Sequence, residues 1–126
     1  MTTQLFNPEI VIQNKKIVFK ANSFKLKLGQ GEIKVEALSG GGGYIETAHT
    51  EDVSTKVSEF SGMLSSTTEN YEFCRQLKQL VGGISITISE GDFHASLRNM
   101  SLVNDPELQF KTEPEVEFQF KGDPVL

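Results

Sequence analysis

The sequence predicts a mainly β fold, a β-sandwich or β-barrel with one packed α-helix. Three observations carry that expectation. Apolar and polar residues alternate with period two in several short segments, turn-forming residues separate those segments, and a single stretch shows apolar residues at helical spacing. The order is strands, one helix, then strands, which suits a small β domain with a docked helix better than any βαβ arrangement. The 126 residues fit one unit, so 1–126 are assigned to a single domain, and no internal repeat is visible.

Taken in order, Ile10-Val11-Ile12 and Ile17-Val18-Phe19 flank Asn14-Lys15 and predict an opening hairpin, because Asn tolerates the left-handed backbone of a tight turn. Between Ser23 and Leu28, Phe24, Leu26 and Leu28 share one face and Lys25 and Lys27 the other. Gly29-Gln30-Gly31 breaks that strand, and Glu32 to Leu38 alternates again, with Glu32, Lys34 and Glu36 set against Ile33, Val35 and Ala37. Gly40 to Gly43 cannot hold a regular conformation unaided, since glycine loses the most backbone freedom on ordering; a flexible glycine-rich loop is assigned to 39–50, with extended character returning over Tyr44 to Ala48. Val53 to Leu64 reads as one long polar strand with a bulge near Ser58-Glu59, which would reach roughly 40 Å at about 3.3 Å per residue.

Ser66-Thr67-Thr68-Glu69 has the form of a capping box, so a helix is expected from about Thr67. Phe73, Leu77 and Leu80 recur on one side with Tyr71, Cys74 and Val81, Glu72, Arg75 and Lys78 oppose them, and Gly82-Gly83 ends the helix. Ile84, Ile86 and Ile88 alternate with small polar residues, Glu90-Gly91-Asp92 turns the chain, and Phe93 to Arg98 alternates in reply, continuing toward Val103. Val116, Phe118 and Phe120 form the apolar side of a last strand that Gly122-Asp123-Pro124 stops.

A net charge of −5 argues against a nucleic-acid binder, which needs Lys and Arg to neutralise phosphates. No apolar run approaches the roughly 20 residues that span a bilayer, and the first residues lack a signal-peptide layout, so a soluble chain made in the cytoplasm, with no membrane partner, is expected. The four-glycine run is followed by Tyr44-Ile45-Glu46 rather than the Lys-Ser/Thr of a phosphate loop, and reads as a hairpin tip. Cys74 with His49 or His94 is the one nucleophile–base combination on offer, but Cys74 falls on the apolar side of the helix, where a free cysteine packs as a small hydrophobe. Two distant histidines do not make a zinc site. Glu113, Glu115 and Glu117 share a strand face and read as a solvated acidic surface. No catalytic residue, no metal ligand and no cofactor is therefore predicted.

The run Ser39-Gly40-Gly41-Gly42-Gly43-Tyr44-Ile45-Glu46-Thr47, followed by Glu51-Asp52-Val53-Ser54-Thr55-Lys56-Val57-Ser58, resembles the tail tube proteins of Mu-like contractile phages. Ser65 to Phe73 resembles the start of that family's helix, Glu117 to Pro124 its closing strand, and Ile12 with Asn14 to Ile17 its first hairpin. The resemblance implies hexameric rings that stack into the inner tail tube, with strands of all subunits closing one inner β-barrel. It also implies a sheath protein, a tape measure protein, a baseplate and a tail terminator as partners, and DNA that passes through without specific binding. Localisation would be the virion, with assembly in the host cytoplasm. Similar architecture occurs in the haemolysin-coregulated tube protein of type VI secretion, an alternative reading beside a small β-barrel that binds a ligand. Within the tube reading, Glu32, Lys34, Glu36, Glu46, Ser54, Lys56 and Ser58 are expected to face the lumen, with Ile33, Val35 and Val57 packed on the subunit core. Gly40, Gly41, Gly42, Gly43 and Tyr44 are expected to form the loop that reaches the next ring.

Overall fold

The opening hairpin forms because two consecutive residues accept positive φ. Strands β1 (Glu9–Ile12) and β2 (Lys15–Ile17) pair antiparallel with Ile10 opposite Ile17, and Gln13 at φ 51° and Asn14 at φ 63° make the turn. The turn lies one residue before the expected Asn14-Lys15, since a two-residue hairpin turn of this hand needs positive φ at both central positions. The computed structural model describes residues 8–20, 22–39, 45–107, 110 and 114–125.

The remaining strands are β3 (Lys25–Lys27), β4 (Glu32–Ser39), β5 (Ile45–Asp52), β6 (Ser58–Ser65), β7 (Ile84–Glu90), β8 (Phe93–Leu102) and β9 (Glu115–Gly122). Seven of them make one sheet in the order β2-β1-β7-β8-β9-β6-β3, while β4 and β5 pair only with each other. The sheet is open, so a closed barrel is not formed within one chain. Both end strands are three residues long and carry lysines, Lys15 and Lys16 on one and Lys25 and Lys27 on the other, a pattern that resists a continuous closing ladder. The sheet still coils around one core, because the Lys20 N–H beyond β2 donates to the Met63 carbonyl of β6 at 2.9 Å.

Alternation fills that core from one side of each strand. Ile84, Ile86 and Ile88 enter from β7, Leu64 and Phe60 from β6, and Val116, Phe118 and Phe120 from β9. Phe60 and Phe120 stand 6.3 Å apart between ring centroids, and Phe19 meets Phe60 edge-on at 5.4 Å. Helix α1 (Thr68–Lys78) caps the core with Phe73 and Leu77. Its N-cap is Thr67, whose hydroxyl oxygen accepts from the Asn70 N–H at 3.2 Å, so the cap sits one residue beyond Ser66, and Asn70 binds the Ser65 carbonyl as well. The helix ends at Lys78, before Leu80 and Val81; Val81 is 84% exposed and takes no part in the helical face predicted for it.

A bulge exists, but in β8 rather than near Ser58-Glu59. The pairing steps from Ile84–Met100 to Ile86–Leu97, which leaves an extra residue on β8, with Asn99 at φ 54°. Gly122 lies against this bulge so tightly that a Cβ would come within 2.7 Å of the Asn99 carbonyl oxygen. The long strand expected over Val53 to Leu64 is likewise broken. Asp52 accepts the Ser54 N–H at 3.1 Å and the Ser54 hydroxyl at 2.6 Å, while the Thr55 hydroxyl donates to the Asp52 carbonyl, and this local bonding winds Val53–Thr55 into a 3-10 turn.

Candidate assembly surface

Strands β4 and β5 form a two-stranded ribbon that leaves the main sheet. Residue pairs run from Glu32–Asp52 through Val35–His49 to Ser39–Ile45 without a break. Directly opposed residues of an antiparallel pair share a face. One face therefore carries Glu32, Lys34, Glu36 and Leu38 with Glu46, Thr50 and Asp52; the other carries Ile33, Val35 and Ala37 with Thr47, His49 and Glu51. Ile45 already belongs to β5, so the extended character expected from Tyr44 onward prevails over a loop reaching residue 50. Gly40 to Gly43 and Tyr44, the expected inter-ring contact, lie outside the described residues.

The ribbon is fixed at its base and bare along its length. Gly29, at φ 80°, is pressed on β6, where a Cβ would stand 2.6 Å from the Val57 carbonyl carbon, so the chain can pivot out of β3 only because a glycine stands there. The Glu32 N–H donates to the Thr55 hydroxyl oxygen at 2.7 Å, and the Lys56 ammonium meets Glu51 at 2.6 Å. Beyond this base, every residue from Glu32 to Leu38 is exposed. Ile33 is 66% exposed and Val35 56%, so neither packs on the core of its own chain as expected, and Val57 is exposed too. Alternation fixes the two faces, but an apolar strand face is satisfied by another molecule as well as by the subunit's own sheet.

The structure brings four of the expected lumen residues together and separates the other three. Glu32, Lys34, Glu36 and Glu46 share a ribbon face, with Lys34 and Glu36 in contact at 2.6 Å. Ser54 sits in the 3-10 turn, bonded to Asp52, and Lys56 lies at the ribbon base. Ser58 is completely buried in β6, donating its hydroxyl to the Met100 sulfur at 3.3 Å, and cannot face a lumen. The bend at Asp52 is what ends the common face assumed for Ser54, Lys56 and Ser58.

The fold aligns over nearly its whole length with chains of two solved particles. One belongs to the sheath-tube complex of an extracellular contractile injection system in the extended state, with a TM-score of 0.60 and 13% identity over 99% of this chain and 90% of that one. The other belongs to the virion of a native gene transfer agent, with a TM-score of 0.57 and 11% identity over 95% of each chain. The fold is shared with components of both. No protein-family model and no curated protein sequence matches the chain.

Groups that could have built a reactive centre lie on separate elements. Cys74 is half-buried on α1, His49 is exposed on β5 with its Nε2 at 3.3 Å from the Thr47 hydroxyl, and His94 is exposed on β8. Among the described residues no hydrogen bond joins Cys74 to either histidine, and no group of three or more His, Cys, Asp or Glu is placed to hold a metal. Burial pushes the Cys74 thiol up from its ordinary value, and nearby Lys78 opposes this in part while Asp105 adds to it. A thiol so placed is protonated near neutrality and is a poor nucleophile. Of the carboxylates expected to share an acidic face, Glu115 binds the Lys20 ammonium at 2.9 Å and Glu117 is exposed, while Glu113 lies outside the described residues. Among the described residues no helix is long and apolar enough to cross a membrane.

Proposed function

We propose that the chain is a structural tube subunit of a phage or phage-derived particle: copies close into hexameric rings, and rings stack into the inner tube inside a contractile sheath. The observation that carries this reading is the ribbon, eight residues per strand, held only at its base and exposed on both faces. An isolated two-stranded hairpin is marginal in water, and one with Ile33 and Val35 uncovered needs a further surface to be stable. Neighbouring copies supply that surface. The shared fold with chains of a sheath-tube complex and of a virion supports the same conclusion.

In the assembled tube the face bearing Glu32, Lys34, Glu36 and Glu46 lines the lumen. Its excess of carboxylates repels phosphates over a Debye length of about 8 Å, so DNA is conducted rather than held. The tip of the ribbon, Gly40 to Tyr44, meets the next ring. Sheath, tape measure, baseplate and terminator proteins complete the tail, and the mature location is the virion. A second reading, the tube of an injection system that is not a virion, is favoured by the likeness to the contractile injection system chain. Capsid and terminase genes beside the coding gene would separate the two. Electron microscopy of the purified protein tests both: rings or tubes are expected, and a chain that remains monomeric at every concentration refutes them.

A further inference from the structure

Two glycines press on one buried residue from opposite sides. Ser58, completely buried at the start of β6, pairs with Gly122 at the end of β9. On its other side lies Gly29, where a Cβ would come within 2.7 Å of the Ser58 nitrogen. Gly122 in turn rests on the β8 bulge, where a Cβ would stand 2.4 Å from the Met100 sulfur, the atom to which the Ser58 hydroxyl donates. A row of close backbone contacts therefore runs from Asn99 in the bulge, through Gly122 and Ser58, to Gly29, where the chain leaves for the ribbon. The segment after β9 spans the same row and ties its two ends. The Asp123 N–H donates to the Arg98 carbonyl at 3.2 Å and its carboxylate accepts from the Asn99 side-chain amide, while the Val125 N–H donates to the Leu28 carbonyl at 2.7 Å, one residue before Gly29. Val125 also packs against the core, and Pro124 between the two anchors has a fixed φ, so the span is short and stiff.

We propose that Asp123–Val125 is a strap that holds the ribbon at one angle to the main sheet, with the β8 bulge as its anchor. The consequence for assembly rests on the self-assembly reading above. Gly29 at φ 80° and Gly31 at φ 92° flank Gln30, and this pair is where the chain between sheet and ribbon can swivel. The bonds from Glu32 to Thr55 and from Glu51 to Lys56 join the ribbon to the residues that leave its own second strand, so they brace it without aiming it from the sheet. The strap does that, by fixing the Leu28 carbonyl against a part of the sheet three strands away from β3. A ribbon free to swivel would present its surface in many directions, and only the fraction of chains pointing in the fitting one would meet a neighbour productively. Holding the angle in the free subunit removes that loss before copies meet.

The test reads the ribbon angle directly and assembly separately. Val125→Pro removes the N–H that reaches Leu28 and sets a ring against that carbonyl. In a Cys74→Ala background, spin labels at Glu36→Cys on the ribbon and Ser96→Cys on β8 report the angle by pulsed electron resonance of the dilute, unassembled chain. With the strap intact a single narrow distance distribution is expected. In Val125→Pro the distribution is expected to broaden at least about twofold while circular dichroism is unchanged. Without the labels, the same variant is expected to raise the half-assembly concentration about tenfold, as when one chain in ten points in the fitting direction. Should Val125→Pro fail to fold, Asn99→Gly with Val125→Ala serves instead: glycine keeps the left-handed backbone that Asn99 holds at φ 54°, and the pair removes the amide on Asp123 and the packing of Val125. A distribution that stays narrow in the folded variant overturns the strap, and a broadened ribbon that assembles at the original concentration overturns its part in assembly; neither result touches self-assembly itself. Failure of the unmodified chain to form rings or tubes refutes the self-assembly reading instead, and the distance measurement still decides the strap.

Discussion

Replacing Ile33 and Val35 with threonine separates the subunit's fold from its assembly. Threonine keeps the β-branched shape that suits a strand, so the ribbon's local preference is preserved. These side chains are 66% and 56% exposed in the free chain, and that exposure is what a neighbour can remove from water. Fully burying such a side chain is worth about 2 kcal/mol, so the two contribute about 1.3 and about 1.1 kcal/mol at each subunit contact. Threonine retains one methyl group, which leaves a loss of about 1.5 kcal/mol per contact and roughly a tenfold rise in the half-assembly concentration. Closing a ring multiplies contacts, so the transition shifts further in tubes than in dimers. Sedimentation velocity over a concentration series measures the shift, and circular dichroism of the dilute chain checks the fold. Assembly at the original concentration would refute burial of this face, and a fall of the monomer's melting temperature by more than about 3 °C would mean that the ribbon packs on its own chain after all.

Two further outcomes follow from the helix. Thr67→Ala removes the hydroxyl that receives the Asn70 N–H and is expected to cost about 1 kcal/mol, whereas Ser66→Ala, whose side chain makes no hydrogen bond among the described residues, is expected to cost less than about 0.5 kcal/mol; urea denaturation distinguishes them, and equal losses would sink the cap assignment. Cys74 should react several-fold more slowly with a maleimide in the native chain than in urea near neutral pH, with the rate climbing as pH rises. The folded-state pKa lies above the unfolded value of 9.0, so the thiol's contribution to stability is present below pH 9 and declines as pH rises through the folded value. Rapid native labelling at neutral pH would revive a nucleophilic role.

Strand identity was legible wherever period two met a single core. Ile84, Ile86 and Ile88 are buried as their spacing required, and so are Val116, Phe118 and Phe120. Boundaries were less legible, because adjacent residues offered equivalent chemistry. Ser66 and Thr67 both carry a capping hydroxyl, and only the placement of Asn70 against the Ser65 carbonyl decides between them. Leu80 and Val81 extend the helical spacing on paper, yet the chain has turned by Gln79, where the backbone N–H already reaches Gln76 and Leu77. Ser58 looked like one more polar member of an exposed face, and its burial depends on Met100, which lies 42 positions away in sequence.

The ribbon shows where such reading stops. Spacing assigned Glu32, Lys34 and Glu36 to one face and Ile33 and Val35 to the other, and the pairing with β5 agrees. What spacing cannot supply is the identity of the surface opposite the apolar face, because amphipathic alternation is satisfied equally by the chain's own core and by a neighbour. Gly29 decides it. By pressing its backbone on Val57 at φ 80°, it turns the strand out of the sheet and carries Ile33 and Val35 away from the core. The chain thus builds its core from its other strands and leaves an amphipathic strand pair outside it. An alanine at position 29 would test this economically: if the ribbon then folded back and assembly persisted, the separation between core and ribbon would have no bearing on how copies meet.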